Sequence, residues 1–123
     1  MKFASFEEMP VWQNALNLAK HIFDYTITLP RTEDYGLTSQ IRRSAVSISA
    51  NIAEGFGRET IPDKNKFYTI ARGSAFETKS HFIYGHTVGY FDDKQLKEIT
   101  LLIEQLILEL NKLIKTLNNP SKP

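Results

Sequence analysis

Residues 96–117 read LKEITLLIEQLILELNKLIKTL and decide the fold class of the chain. Apolar residues recur there in alternating steps of three and four, which predicts an α-helix with a heptad seam. The seam consists of Leu96, Ile99, Ile103, Leu106, Leu110, Leu113 and Leu117. Because further leucines and isoleucines widen this stripe, we expect the helix, over 93–117, to contact more than one neighbouring helix.

Three more helices are predicted upstream, over 10–28, 37–56 and 62–88. The Leu29-Pro30 pair ends the first one, because proline disfavours helical geometry in the residue before it. The other boundaries are marked by Gly55 and Gly57, by Thr60 with Asp63, and by Asp92 with Gln95. Since short loops leave sequential helices antiparallel, we predict an all-α, antiparallel up-and-down four-helix bundle. It would form one domain over 1–117, followed by a flexible tail, 118–123.

The composition is that of an ordinary globular protein, with 41% hydrophobic and 24% charged residues and no cysteine. The lack of cysteine excludes disulfides and thiolate metal sites, so we expect a cytoplasmic protein. No stretch approaches the roughly 20 apolar residues of a spanning helix, so no membrane partner is expected. The net charge of +1 does not by itself indicate nucleic-acid binding, although residues 37–81 carry +3.

The histidines offer no catalytic or metal-binding pattern. His81 and His86 are five positions apart, which separates them by about 140° on a helix, whereas a metal-binding pair needs a spacing of four. The Gly55–Thr60 segment lacks the full glycine pattern of a phosphate-binding loop. We therefore expect no enzyme, no cofactor, no metal and no small-molecule substrate. Trp12 is interpreted as a core aromatic, with a base-stacking platform as the alternative.

The second, third and fourth helices carry more apolar and small residues than one core can bury. Large exposed apolar faces usually mark interfaces, so we expect a homo-oligomer. The predicted interface residues are Val46, Ala50 and Ala53 on the second helix and Gly73, Phe76 and Ile83 on the third. The alternative is that a single bundle absorbs both faces.

A basic, partly aromatic stripe on the third helix is the candidate nucleic-acid site. Its members fall within about 80° of one another: Lys64, Tyr68, Arg72, Lys79 and His86. The cations would contact RNA phosphates, and Tyr68 would offer a stacking surface. Further candidates are Arg42, Arg43, Arg58 and Lys66. An ordinary solvated face is the alternative for such a stripe.

Polar residues of the second helix form another stripe beside the apolar one. We expect Asn51 and Glu54 to be at least partly buried and hydrogen-bonded, because unpaired groups inside would cost on the order of 1–3 kcal/mol. A solvated face is again the alternative. The serines of this helix are interpreted as small packing residues equivalent to alanine: Ser39, Ser44, Ser47 and Ser49.

Several segments together carry a family resemblance. They are MPVWQ (9–13), YGLTSQIRRSAVSI (35–48), ANIAEGFGR (50–58), IARGS (70–74) and VGYF (88–91). In these the chain resembles the bacterial four-helix bundle proteins named after intervening sequences in 23S ribosomal RNA genes. The resemblance implies an up-and-down bundle that assembles into a ring, commonly of five subunits. Similar bundles act as accessory proteins of retroelements, where they engage nucleic acid and a reverse transcriptase.

One residue departs from the family pattern. Ser49 stands where the family usually has proline. Since proline in a helix interior removes a hydrogen bond and bends the helix, the kink that the family implies is not expected in this chain.

Overall fold

The computed structural model of the protein describes residues 3–119. Within this range the chain forms no strand and four α-helices: α1 (Pro10–Thr26), α2 (Leu37–Gly57), α3 (Ile61–Thr87) and α4 (Asp93–Asn118). Short 3-10 turns, Phe6–Glu8 and Arg31–Glu33, precede α1 and α2. The all-α prediction with four helices is confirmed. Asn118, placed in the tail by the sequence, still belongs to α4, and residues 120–123 of that tail lie outside the described residues.

Side-chain caps fix the starts of three helices. Thr60 Oγ1 accepts a hydrogen bond from the Asp63 backbone N–H at 3.2 Å. Asp92 and Gln95 cap α4 reciprocally, as their spacing predicts. The start of α2 is held differently, because Glu33 Oε1 accepts from the Leu37 N–H at 2.9 Å. α2 then runs without interruption past Ser49.

Each helix packs its backbone against two others. α1 contacts α2 and α4, and α3 contacts α2 and α4. Among the described residues, the backbones of α1 and α3 do not approach each other, and neither do those of α2 and α4. The four helices therefore surround a common core, and the groove between α1 and α2 lies on the opposite side of the molecule from the groove between α3 and α4.

The predicted seam of α4 forms the centre of the core. In α4, Ile99, Ile103, Leu106 and Leu110 are at most 1% exposed. The other helices supply large fully buried side chains as well: Leu18 and Ile22 from α1, Ile41, Ile48 and Ile52 from α2, and Phe82 from α3. Burying a side chain of this size stabilises the fold by roughly 1.5–3 kcal/mol, so this shared core is the main source of stability.

Glycines permit two close approaches. A Cβ at Gly55 would lie 2.6 Å from the Tyr68 ring, and a Cβ at Gly85 would lie 2.3 Å from the Phe91 ring. Phe91 in turn stacks on Phe82, with ring centroids 4.0 Å apart. These positions therefore require glycine because an aromatic ring occupies the space that a side chain would need.

Candidate interaction surfaces

A chain of small polar side chains fills the contact between α2 and α3. Thr78 Oγ1 is buried and lies 2.8 Å from Ser44 Oγ and 2.9 Å from the Ser74 carbonyl oxygen. Ser47 Oγ lies 2.9 Å from Ser74 Oγ. Asn51 Nδ2 donates to the Ser47 carbonyl and hydroxyl oxygens at 2.8 and 2.9 Å. Ser44 and Ser47 thus hydrogen-bond to α3, which alanine could not do, whereas Ser39 and Ser49 bond only to carbonyl oxygens three residues back on their own chain segment.

The two predicted polar residues of α2 differ in their surroundings. Asn51 is half-buried and hydrogen-bonded, as expected. Glu54 is exposed, and its carboxylate accepts from Arg58 Nη2 at 2.9 Å on the same helix. Within one chain Glu54 is therefore an ordinary surface residue.

At the outer edge of this contact, Glu77 of α3 binds two side chains. Its carboxylate lies 2.6 Å from Arg43 Nη2 of α2 and 3.2 Å from His81 Nε2. Burial opposes ionisation, but the hydrogen bonds from His81 and Arg43 outweigh it and lower the pKa of Glu77. Arg43 therefore joins α2 to α3 through its ion pair with Glu77.

The predicted basic stripe of α3 does not face open solvent. The stripe lies along the contact between α3 and α4. The neighbouring core residues of α3, Ala71 and Ala75, are small, so the long side chains of the stripe can extend past them to α4. Three of its members have partners on or beside α4: Arg72 donates to Asn111 at 2.9 Å, Lys79 to Glu104 at 3.0 Å, and His86 Nε2 lies 2.7 Å from Asp93. Lys79 is thereby paired with an acidic group within the chain, and Arg72 is hydrogen-bonded to a neutral amide.

Tyr68 was predicted to offer an exposed stacking surface, and the structure contradicts this. Its side chain is only 3% exposed and lies against Gly55 in the core. Burial raises the pKa of Tyr68. No ring face is open for a nucleic-acid base, so Tyr68 is a core residue and not a member of an exposed stripe.

The other candidate cations gather around aromatic rings. Lys64 Nζ donates to the Gly55 and Phe56 carbonyl oxygens at the end of α2, at 3.2 and 2.8 Å. Arg58 lies 4.6 Å from the Phe67 ring centroid, and Lys66 Nζ lies 5.7 Å from the same centroid. Contacts of this kind stabilise by about 0.5–1 kcal/mol at exposed sites. The structure therefore brings Lys64, Arg58 and Lys66 together at the α2–α3 connection.

Arg42 belongs to the opposite side of α2. Its Nε donates to Thr26 Oγ1 of α1 at 2.8 Å, and its guanidinium lies 4.5 Å from the Phe23 ring centroid. These contacts mark the side of α2 that faces α1.

Two exposed apolar faces flank the grooves between helices. On the α1/α2 face, the exposed residues are Leu16, Phe23, Ile27 and Val46, between 49 and 61% exposed. On the α3/α4 face, Phe76 and Ile83 are 54 and 45% exposed and share the side of α3 that carries Arg72 and Lys79. The predicted interface residues therefore divide between opposite faces. Val46 and Ala53 lie on the side of α2 near α1, and Phe76 and Ile83 lie on the side of α3 near α4. Ala50 and Gly73 lie on the sides of their helices that point directly away from the core.

Sequence reasoning missed the α1 part of the first face. The helix over 10–28 was predicted, but Leu16, Phe23 and Ile27, which lie at steps of seven and four away from its core side, were not singled out. That repeat is the signal from which a second apolar face on α1 could have been predicted. Trp12 is half-buried, with its ring edge to the Phe6 ring at a centroid distance of 5.1 Å.

The titratable groups are dispersed. His21 Nε2 lies 3.8 Å from Glu98, and the other two histidines pair with Glu77 and Asp93. The Tyr25 hydroxyl donates to Glu98, and this hydrogen bond, together with burial, raises the pKa of Tyr25 to about 12. Residues 3–119 contain no group of three or more acidic or imidazole side chains arranged to hold a metal ion.

None of the helices over the described range combines the length and the apolar character needed to cross a bilayer.

The fold and the surface contacts define a four-helix, all-α protein in which several charged side chains join neighbouring helices. The chain belongs to the 23S rRNA-intervening sequence protein family, whose model matches residues 7–112. A solved relative is a protein of unknown function from the S23 ribosomal protein family of Bacteroides thetaiotaomicron VPI-5482. It is 25% identical, with a TM-score of 0.77, and the match covers 86% of this chain and 99% of the relative. Among curated proteins, none matches the chain.

Proposed function

We propose that this chain is the non-enzymatic subunit of a cytoplasmic ring-shaped homo-oligomer, with five subunits favoured by the family resemblance. Within each subunit the helices would run up and down. Cross-helix contacts support this direction, because rising residue numbers in one helix meet falling numbers in the next. The supporting pairs are Asn14 with Glu109, Tyr25 with Glu98, Arg43 with Glu77, Ser47 with Ser74, Arg72 with Asn111 and Lys79 with Glu104.

The observation that carries the proposal is the pair of apolar faces. Phe23 and Val46 on the α1/α2 face are 51 and 56% exposed, and Phe76 on the α3/α4 face is 54% exposed. A monomer gains nothing by leaving such side chains in water, since each square ångström of apolar surface that is buried contributes about 25 cal/mol.

The positions of the two faces favour a ring over a simple dimer. A two-fold dimer needs one self-complementary patch, whereas two different patches on opposite sides suit a head-to-tail contact that closes when the rotation per subunit permits. The α1/α2 face of one subunit would therefore cover the α3/α4 face of the next.

Gly73 gives independent support. It lies in the middle of α3 with no atom within 4 Å of a Cβ built on it, so no contact inside the chain requires glycine there. A glycine inside a helix costs roughly 0.5–1 kcal/mol relative to alanine. Close approach of a neighbouring subunit would account for that cost.

A mixing experiment tests the head-to-tail contact. Val46→Glu and Phe76→Glu should each prevent assembly, because each places a charge in one half of the same interface. Mixed in equal amounts, the two variants should form a heterodimer that cannot grow, since one intact half of each kind remains. Tyr35→Glu, at a 98% exposed residue outside both faces, is the control and should leave the assembly intact.

Native mass spectrometry would distinguish the outcomes. A mixture that stays monomeric, or single variants that still form the full assembly, would contradict a head-to-tail interface made by these two faces.

RNA binding is a second candidate function. The observation that favours it is the group of three cations and two aromatic rings at the α2–α3 connection, where Arg58 and Lys66 flank Phe67 and Lys64 Nζ lies 5.6 Å from the Phe56 centroid. A ring would repeat this group in every subunit and so multiply a weak electrostatic attraction. Salt-dependent binding of an RNA hairpin is its test.

A further inference from the structure

The acidic and basic residues of α4 are used differently. Glu98 binds Tyr25 and His21 of α1, Glu104 binds Lys79 of α3, and Glu109 binds Asn14 of α1. The four lysines of the helix make no ion pair with any described residue: Lys94, Lys97, Lys112 and Lys115. All four are exposed. The acidic residues of α4 therefore contact α1 and α3, and the lysines give the outward surface of α4 a positive charge.

Two leucines occupy the centre of this surface. Leu101 and Leu108 are one heptad apart and are 60 and 63% exposed. At 100° per residue, the two leucines and the four lysines fall within an arc of about 60°, which makes one straight stripe about 32 Å long. We call these six residues the outer stripe of α4. Its order is two lysines, two leucines and two lysines.

The outer stripe differs from the two apolar faces described above. It lies along the middle of the outer surface of α4, opposite the buried seam, with Glu104 between it and the α3/α4 groove that carries Phe76 and Ile83. The proposed ring uses none of its six residues, so the inference drawn from the outer stripe does not depend on the ring.

We propose that the outer stripe of α4 docks an acidic amphipathic helix of a partner protein. A partner helix with two apolar residues one heptad apart would cover Leu101 and Leu108 in coiled-coil fashion. Acidic residues toward both of its ends would meet the lysine pairs, and such charge complementarity selects the partner and speeds its approach.

Charge argues against a second copy of the same helix as the occupant. If two α4 helices paired in opposite directions through their leucines, Lys94 would face Lys115 and Lys97 would face Lys112. Parallel pairing would place each lysine beside its own copy. Like charges in these positions repel, so the lysines act against self-pairing while they favour an acidic partner.

The leucines argue against nucleic acid and a lipid surface. RNA phosphates would use the lysines but would leave the two most exposed leucines of the chain in water. A helix that lies on an anionic bilayer needs a broad apolar face, whereas here Glu104 and Gln105 border a stripe with only two apolar side chains. A narrow apolar seam between basic ends matches another helix best.

Fluorescence anisotropy with a synthetic helical peptide tests the proposal. The peptide has the length of the outer stripe, with leucines one heptad apart and two glutamates near each end. It should bind the full chain, and Leu101→Gln/Leu108→Gln should weaken binding at least about tenfold. Replacing the four lysines by glutamine should weaken binding and remove its salt dependence.

Two controls separate this site from unspecific attraction. Lys20→Gln/Arg31→Gln removes two cations that lie outside the outer stripe and outside the α2–α3 connection, and should leave peptide affinity unchanged. A peptide of the same composition, with its leucines moved to opposite sides of the helix, should not bind. Circular dichroism should show unaltered helix content in every variant, because all the replaced side chains are exposed.

The proposal is overturned if the peptide does not bind at about 100 μM, if the leucine variant binds it as well as the native chain does, or if the rearranged peptide binds equally. It is also overturned if an RNA hairpin or phosphatidylserine vesicles bind through the four lysines while the peptide does not. These outcomes leave the ring unaffected, since assembly is measured separately by subunit mass.

Discussion

The Tyr68 ring packs so closely on Gly55 that a Cβ at position 55 would lie 2.6 Å from Tyr68 Cε1. This contact joins the end of α2 to the beginning of α3, and no side chain fits there without moving the ring. Gly57, two residues further on, has open space around it. The two glycines therefore form a matched pair for measuring the cost of close packing.

We expect Gly55→Ala to lower the free energy of unfolding by about 1–3 kcal/mol, because the added methyl group overpacks the contact. Gly57→Ala should be neutral or should raise that free energy by about 0.5 kcal/mol, since alanine is the better helix former. Urea denaturation followed by circular dichroism measures both values. Equal effects at the two positions would show that Tyr68 does not restrict position 55.

The hydroxyl pair between α2 and α3 should couple energetically. Ser44 and Thr78 are both fully buried, with their hydroxyl oxygens 2.8 Å apart. We expect Thr78→Val to cost about 1 kcal/mol, because it removes a hydrogen bond in the interior. Combined with Ser44→Ala, the loss should fall short of the sum by at least about 0.5 kcal/mol. Strictly additive values in urea denaturation would contradict a direct interaction.

Glu33 should make stability depend on pH at the start of α2. Its carboxylate accepts from the Leu37 backbone N–H and, at 2.8 Å, from the Tyr90 hydroxyl, and these two hydrogen bonds lower the pKa of Glu33 below 4.5. A lowered pKa in the folded state means that the stabilisation is complete above pH 4.5 and is lost as the pH falls through the folded value. We expect Glu33→Gln to melt at a lower temperature than the native chain at pH 7.

The difference in melting temperature between the two proteins should shrink as the pH falls from about 4.5 through the lowered pKa of Glu33, where its carboxylate becomes protonated in the folded chain. Calorimetry over a pH series measures it. A difference that stays constant down to pH 2.5 would show that the charge of Glu33 does not stabilise α2.

RNA affinity should depend on the α2–α3 connection more than on the side chains bound to α4. Each phosphate contact that is lost flattens the dependence of affinity on salt. We expect Arg58→Gln/Lys66→Gln to flatten the salt dependence of RNA hairpin binding. Arg72→Gln/Lys79→Gln should have little effect, because Asn111 and Glu104 already bind those groups. Filter binding across a salt series would contradict this account if only the second pair mattered.

Structural features that depend on residues close together in the sequence could be predicted, and features that depend on distant residues could not. The α4 seam and the caps at Thr60 and Asp92 depend on residues a few positions apart, so spacing alone predicts them. Glu33 was not singled out, because it caps α2 from a preceding turn and not from the usual capping position. The family resemblance, which rests on whole segments, was confirmed.

Side-chain direction on α3 was the least predictable feature. That helix has apolar or small residues on several sides, so its periodicity does not say which side faces the core. Tyr68 was therefore placed on an exposed stripe although it is buried, and Arg72 and Lys79 were placed in solvent although they reach α4. Only the positions of α2 and α4, which are tertiary information, decide between these orientations.

The mass of the assembly in solution tests the central claim most directly. Light scattering coupled to size-exclusion chromatography, at micromolar chain concentration, should give about 70 kDa, five times the 14.1 kDa mass of one chain. Phe76→Glu should reduce this to the mass of a single chain while retaining the helical circular dichroism spectrum. A native chain that elutes as a 14.1 kDa monomer would contradict the ring and the assignment of the two apolar faces as its interface.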